Sequence, residues 1–279
     1  MARTKAISLL QAPGTKVDLA ELSNLVIANI QKDTLAGALK SQSYTGNPAA
    51  GSVEYKRFVN SVSKAYGTAR GAGKGDAITV PPTVVNLDQH KEIVEEAARF
   101  DIDTFGIGNI MARRADNHVD TVASEFDVAF FAQAVTEGTK FTTTETDIEA
   151  KVEALIQTLE TVKNDYVRGV PRHMIRLVCD PVYFGKMRNY LDKGVNNANV
   201  DTAAEDFSMF HGVRVYNSIN LPTGTNMVCM IDGALAQPAL IYPYAEPEKI
   251  PLSNDFGVSM FFDYGTKALT PDLIFHYGE

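Results

Sequence analysis

The side chains able to carry chemistry in this chain are few and scattered. Its five histidines, His90, His118, His173, His211 and His276, include no i, i+4 pair and no HExxH motif. That motif is the spacing by which one helix face turns two imidazoles toward a metal. His211 and His276 stand among β-forming residues and read as partly buried imidazoles. Cys179 and Cys229 lie inside the apolar runs IRLVC and MVCMI, without CxxC spacing. Such thiols are expected buried and reduced, not paired or metal-bound. Asp180 before Pro181 and Asp232 before Gly233 close two apolar runs, where an α/β enzyme would hold an acid. Turn initiation accounts for both. The run GTARGAGKG, residues 67–75, has the look of a phosphate loop, but Thr68 stands where the first glycine is needed and Gly75 where Ser or Thr is needed. A β-forming AITV follows in place of a helix. No GxSxG, no dinucleotide fingerprint and no Ser/His/Asp arrangement occurs. The residues therefore point to no catalytic centre, no metal and no cofactor.

The elements that would position any site are clearer. A stripe of Val119, Val122, Phe126, Ala129 and Phe130 repeats at spacings of three and four, the period of a helix with one apolar face. It predicts one long helix over residues 105–138, about 45–50 Å if helical throughout. Gly106, Gly108 and the charged run ARRADNHVD weaken its start, which is expected between Ile110 and Asn117. Gly138 is expected as a left-handed C-terminal residue. Ahead of this helix, residues 19–39 read as a helix within an N-terminal arm. Residues 52–66 and 77–88 are β-compatible around a glycine-rich, basic tip, so 52–88 reads as a long hairpin with a loose end. Pro81 and Pro82 keep its returning strand out of a sheet centre.

After the long helix, residues 142–171 give the strongest helix signal, with Thr146 and Glu149 as a capping box and Gly169 and Pro171 as the stop. Its apolar face is Ile148, Val152, Leu155, Leu159 and Val162. A strand (173–179), a helix (181–191) and the strands HGVRVYNSINLP and NMVCMIDG follow, an α/β subdomain over about 141–240. Two closing strands over 254–278 are expected to return beside the long helix.

Hydrophobic content of 45% and charged content of 22% are those of a globular protein. The N-terminus lacks the apolar run of a signal peptide, and no run of about 18 apolar residues occurs, so neither secretion nor a membrane span is expected. A net charge of −8 argues against sequence-reading nucleic-acid binding. The charge is uneven. Residues 52–76 hold Lys56, Arg57, Lys64, Arg70 and Lys74 against Glu54 and Asp76, five less two, or +3. Residues 230–279 hold seven acids against Lys249 and Lys267, or −5. A basic arm and an acidic region in one chain can attract each other between copies.

Four stretches carry a resemblance to a known family: VVNLDQHKEIVEEAARFDID, LVCDPVYFGKMRNYL, FHGVRVYNSINLPTG (with Gly212, Val215, Ser218, Leu221 and Pro222) and DYGTKALTPDLIF. In this order they resemble the major capsid protein of tailed bacteriophages, which has the Hong Kong 97-type fold. The resemblance implies an α+β chain divided into an N-terminal arm (1–50), an extended β-hairpin or E-loop (51–88), a peripheral domain with the spine helix (89–140), an α/β axial domain (141–240) and return strands to the peripheral domain (241–279). It implies a non-enzymatic shell protein of the virion, assembled in the host bacterial cytoplasm around double-stranded DNA, without sequence-specific contact. Its implied partners are its own copies in hexamers and pentamers, a separate scaffolding protein, and portal and head-completion proteins, with no membrane. Lys64, Arg70 and Lys74 at the hairpin tip are then expected to contact acids of a neighbouring subunit. An encapsulin shell has the same fold and stays open as an alternative, as does a soluble α/β enzyme.

Overall fold

A computed structural model describes residues 13–105, 107–193, 200–201, 206–244 and 248–278. By contact density the chain divides into two units: Met1–Ala38, Asn86–Asp127 and Pro238–Gly265, and Leu39–Val85, Val128–Gln237 and Thr266–Glu279. Each has its own sheet.

In the first unit the sheet is built on the strand Phe256–Tyr264, which pairs antiparallel with Gln89–Ala97 along all nine residues. On its other side lie Ala239–Ile241 and Glu248–Lys249. Phe256, Val258, Met260, Phe262 and Tyr264 alternate inward and are buried, as period-2 patterning requires. The long helix lies on this inner face: Phe126 meets Phe262 and Tyr264 edge-on at 5.8 and 5.1 Å. Glu125 accepts from the Tyr264 hydroxyl at 2.9 Å. The first closing strand thus returns beside the helix, as expected.

That helix spans Ile107–Glu137, 31 residues, or about 46 Å at ~1.5 Å per residue. It begins ahead of the expected start at 110–117. The charged run is supported from outside the helix, because Glu95 on the neighbouring strand takes Arg114 and stands 3.2 Å from the ring of buried His118. Tyr244 holds the other imidazole nitrogen at 2.8 Å. A helix signal taken along the sequence cannot include such partners. Gly138 is not left-handed. A Cβ there would lie 2.4 Å from the Ala134 carbonyl and 2.8 Å from Ile274, so close approach is what requires glycine.

The N-terminal helix runs Pro13–Asp33 and restarts as Leu35–Leu39. Asp127 of the long helix caps the restart: it accepts from the Thr34 hydroxyl at 2.6 Å and from the Ala36 and Leu35 amides at 2.8 and 3.2 Å.

The second unit holds a six-stranded sheet in the order Thr139–Lys140, Ile274–Tyr277, Met227–Ile231, Ile175–Cys179, Val213–Asn217, Met209–Phe210. Two neighbouring pairs are parallel, 274–277 with 139–140 and 175–179 with 213–217. The strands 213–217 and 227–231, consecutive in sequence, are not neighbours; 175–179 lies between them. The second closing strand, Ile274–Tyr277, enters this sheet against Met227–Met230. The central runs are buried on both faces, the pattern that continuous apolar segments encode. Helices Ile148–Glu160 and Pro181–Asp192 cover one face, through Val152, Leu155, Ile156, Leu159, Tyr183, Met187 and Leu191.

The expected capping box is absent. Asp147 is the N-cap of Ile148–Glu160 and makes no side-chain cap bond. The helix ends at Glu160, well before Gly169, because Val170 and Gly169 turn back to bond the carbonyls of Glu160 and Val162. Glycine's left-handed φ of +92° permits that turn. Asp180 caps the next helix by accepting from the Tyr183 amide at 2.7 Å, with Pro181 at the first helical position. The acid at the strand end is thus committed to a turn, and Asp232 is held 2.5 Å from Arg176. Cys179 and Cys229 are buried and unpaired, and burial pushes the Cys229 thiol up to about 12 and Cys179 well above its usual range. No helix among the described residues is long and apolar enough to cross a membrane.

Candidate assembly arm

Segment 52–86 buries few of its side chains, all of them at its base. Its base is a two-stranded ribbon of Ser52–Lys56 and Pro82–Asn86. Val53, Tyr55 and Val85 bury there with Ala236. The strands are far shorter than the β-compatible sequence. Beyond Lys56 the pairing gives way to side-chain anchors. Arg57 forms a bidentate pair with Asp272, at 2.6 and 2.9 Å, and its guanidinium lies 4.3 Å over the Tyr166 ring. Asp272 also accepts from Asn164 at 2.5 Å, and together these donors hold its carboxyl below the usual range against the opposing effect of burial. The Asn60 amide bonds the Asp165 carbonyl, and Arg168 bonds the Ser61 carbonyl, both at 2.8 Å. One of the five arm cations is thus used to fix the arm to its own C-terminal region, a role that the charge count alone did not separate from docking.

Past Ser61 the anchoring stops, and residues 61–79 are all exposed. The tip is not the irregular loop expected. Thr68–Ala72 forms a short helix, bounded by Gly67 and Gly73 at φ of +90° and +72°. Left-handed residues at both ends let so short a helix start and stop. Of the three tip cations, Lys64 pairs with Asp76 at 2.6 Å and joins the two limbs. Arg70 lies 6.0 Å over the Tyr66 ring. Among the described residues neither Arg70 nor Lys74 has an acidic partner. Charge and glycine content do not reveal the apolar side chains that this region leaves uncovered. Phe58, Val62, Tyr66 and Ile78 are 66, 69, 97 and 85% exposed. They lie in stretches whose composition is β-compatible; the signal that they are uncovered is the lack of any apolar partner within the segment.

No family model matches the sequence, and no curated protein matches it. Solved structures do. The chain superposes on one from the capsid of the cyanophage P-SCSP1u with a TM-score of 0.64 at 13% identity, over 88% of each chain. For a chain of Mycobacterium phage Che8 the TM-score is 0.60 at 15% identity, over 86% of this chain and 93% of that one. The virus-like particle of Pyrococcus furiosus gives 0.57 at 11% identity, over 92% and 97%. Each match covers most of both chains. The fold is the Hong Kong 97-type capsid fold. In that fold's terms this chain is α+β, with an N-terminal arm, an extended hairpin, a long spine helix and an α/β axial part.

Proposed function

We propose that this chain is the major shell protein of a tailed bacteriophage, assembling through its own copies into an icosahedral capsid around double-stranded DNA. The observation that carries this reading is the arm, whose exposed Phe58, Val62, Tyr66 and Ile78 find no cover on their own chain. Removing a side chain of this size from water is worth roughly 1.5–3 kcal/mol, so a neighbouring copy is the occupant that turns a cost into a contact. Support also comes from the phage capsids that share the fold. The segments take the parts of an N-terminal arm (1–50), E-loop (51–88), peripheral domain (89–140), axial domain (141–240) and return segment (241–279). Within the last, Phe256–Tyr264 serves one sheet and Ile274–Tyr277 the other. Hexamers and pentamers form around the axial domains, with a separate scaffolding protein, portal and head-completion proteins as partners in the host cytoplasm. DNA is enclosed without being read. Lys64, Arg70 and Lys74 contact the neighbour, and no reaction is catalysed.

The test is particle formation. The protein, alone or co-expressed with its scaffolding protein, is expected to give closed shells by negative-stain electron microscopy and light scattering. A folded chain that stays monomeric under both conditions overturns the proposal.

A further inference from the structure

Helix Pro181–Asp192 carries a row of side chains that the core uses only in part. Tyr183, Lys186, Tyr190 and Lys193 recur at spacings of three and four, so they line up along one side of the helix and its end. That side borders a cleft of about 570 Å³, whose opposite wall is the start of helix Ile148–Glu160, with Lys151. Three ammonium groups therefore line one cavity. Two of them sit on aromatic rings: the Lys186 Nζ is 4.1 Å over Tyr183 and the Lys151 Nζ 5.3 Å over Tyr277. A ring face holds an ammonium in place while leaving N–H donors for a second partner. Among the described residues neither Lys186 nor Lys193 pairs with an acid. The carboxylates of the lining are fewer. Glu149 is taken by the Tyr190 hydroxyl and lies 3.9 Å from the His211 ring, which leaves Asp147 among the three cations.

The second feature is the Tyr190 ring. Phe210 meets it edge-on at 5.8 Å and Glu149 holds its hydroxyl, yet the residue is 38% exposed. A fixed, uncovered aromatic plate beside a group of ammonium ions suits a nucleotide, which needs stacking for its base and cations for its phosphates. An inorganic anion would use only the cations, and an acidic peptide has no need of the plate. We infer that this cleft binds a nucleotide, free or within a single strand. Lys151, Lys186 and Lys193 take its phosphates and Tyr190 stacks its base. The Asn189 amide, on the same lining, offers a donor and an acceptor to the base edge. The volume falls in the range of small-molecule sites, roughly 300–1,000 Å³, and a lone phosphate would leave most of it empty. Every residue of the site belongs to one chain, so binding does not wait on assembly.

Calorimetry on the full chain tests it, with dATP, deoxyadenosine, inorganic triphosphate and a short deoxyadenosine oligonucleotide as probes. Saturable binding of dATP is expected, about tenfold or more tighter than deoxyadenosine or triphosphate, because each of these lacks one half of the recognised group. Lys186→Ala with Lys193→Ala is expected to weaken dATP by about tenfold or more, and Tyr190→Leu by about fivefold or more. Tyr190→Phe keeps the ring and is expected to change affinity by about twofold at most. Far-UV circular dichroism is expected to be unchanged in all three. Tighter binding of the oligonucleotide than of dATP assigns the site to a strand, and the reverse to the free nucleotide; both support the inference. It is overturned by a lack of saturable dATP binding, by equal affinity for dATP and triphosphate, or by dATP binding that the lysine substitutions leave intact. A second measurement locates the ligand without any substitution. Amine acetylation, read by peptide mass spectrometry, is expected to slow at Lys186 and Lys193 when dATP is present and to stay unchanged at exposed Lys163. Unchanged rates at all three lysines overturn the inference as well, and closed wild-type shells would then leave the shell reading standing.

Discussion

Arg172 carries the most heavily used guanidinium in the second unit. It donates to Glu153 at 2.7 and 3.1 Å, to Glu160 at 2.8 and 2.9 Å and to the His211 carbonyl. Its hydrogen bonds hold both glutamates below their ordinary value of 4.5. A carboxylate depressed in the folded state contributes stability above its unfolded pKa and loses it as pH falls through the folded one. The stability difference between wild type and Arg172→Met is therefore expected to be level from pH 7 to about 5 and to close toward pH 3. Denaturant titrations across that range check it, and a gap undiminished at pH 3 contradicts it. Two glycines make a second residue-scale contrast. Gly138→Ala forces a Cβ against the Ala134 carbonyl and Ile274 and is expected to cost about 1–3 kcal/mol. Gly185→Ala, inside helix Pro181–Asp192 with nothing within 4 Å, is expected to gain about 0.5–1 kcal/mol. Urea midpoints moving the same way for both would refute the pair.

Among the elements, the long helix does more than present an apolar stripe. Its Asp127 is buried and serves as the N-terminal cap of another helix, so the segment Thr34–Leu39 depends on a residue more than ninety positions away. Asp127→Ala leaves the Thr34 hydroxyl and the Ala36 amide without their acceptor, at an expected cost of about 2–3 kcal/mol. Asp127→Asn keeps one acceptor oxygen and is expected to cost less. Equal midpoints for the two variants in urea would show that the cap is not what the carboxylate contributes.

At the scale of the whole molecule, the arm and the two sheets differ in how much they bury. Strands such as Met227–Ile231 are covered on both faces, whereas residues 61–79 are exposed throughout. Trypsin is expected to cut unassembled subunits first at Lys64, Arg70 and Lys74, before any site in 148–192. Assembled shells are expected to slow those cuts by roughly tenfold or more, because cleavage follows local opening and exposure. Equal rates in subunits and shells would mean that the arm stays uncovered after assembly.

The long helix, the helix Pro181–Asp192 with its Asp–Pro start, and the closing strand Phe256–Tyr264 were all legible in the sequence. Each rests on a local period or a cap formed within a few residues. The buried thiols were legible for the same reason, as members of unbroken apolar runs. The resemblance to phage capsid chains rested on the order of such segments, and the fold has that order. What the sequence alone left open was decided by partners distant along the chain. Glu95 supports the charged start of the long helix, Ile274 makes glycine necessary at 138, and Asp272 neutralises Arg57, one of the arm's five cations. The arm itself shows the limit from the other side. Its β-forming residues ask for strands, but beyond Lys56 only scattered anchors and one cross-limb backbone bond, Val59 to Thr79, replace the ladder. A strand needs a partner as well as a propensity.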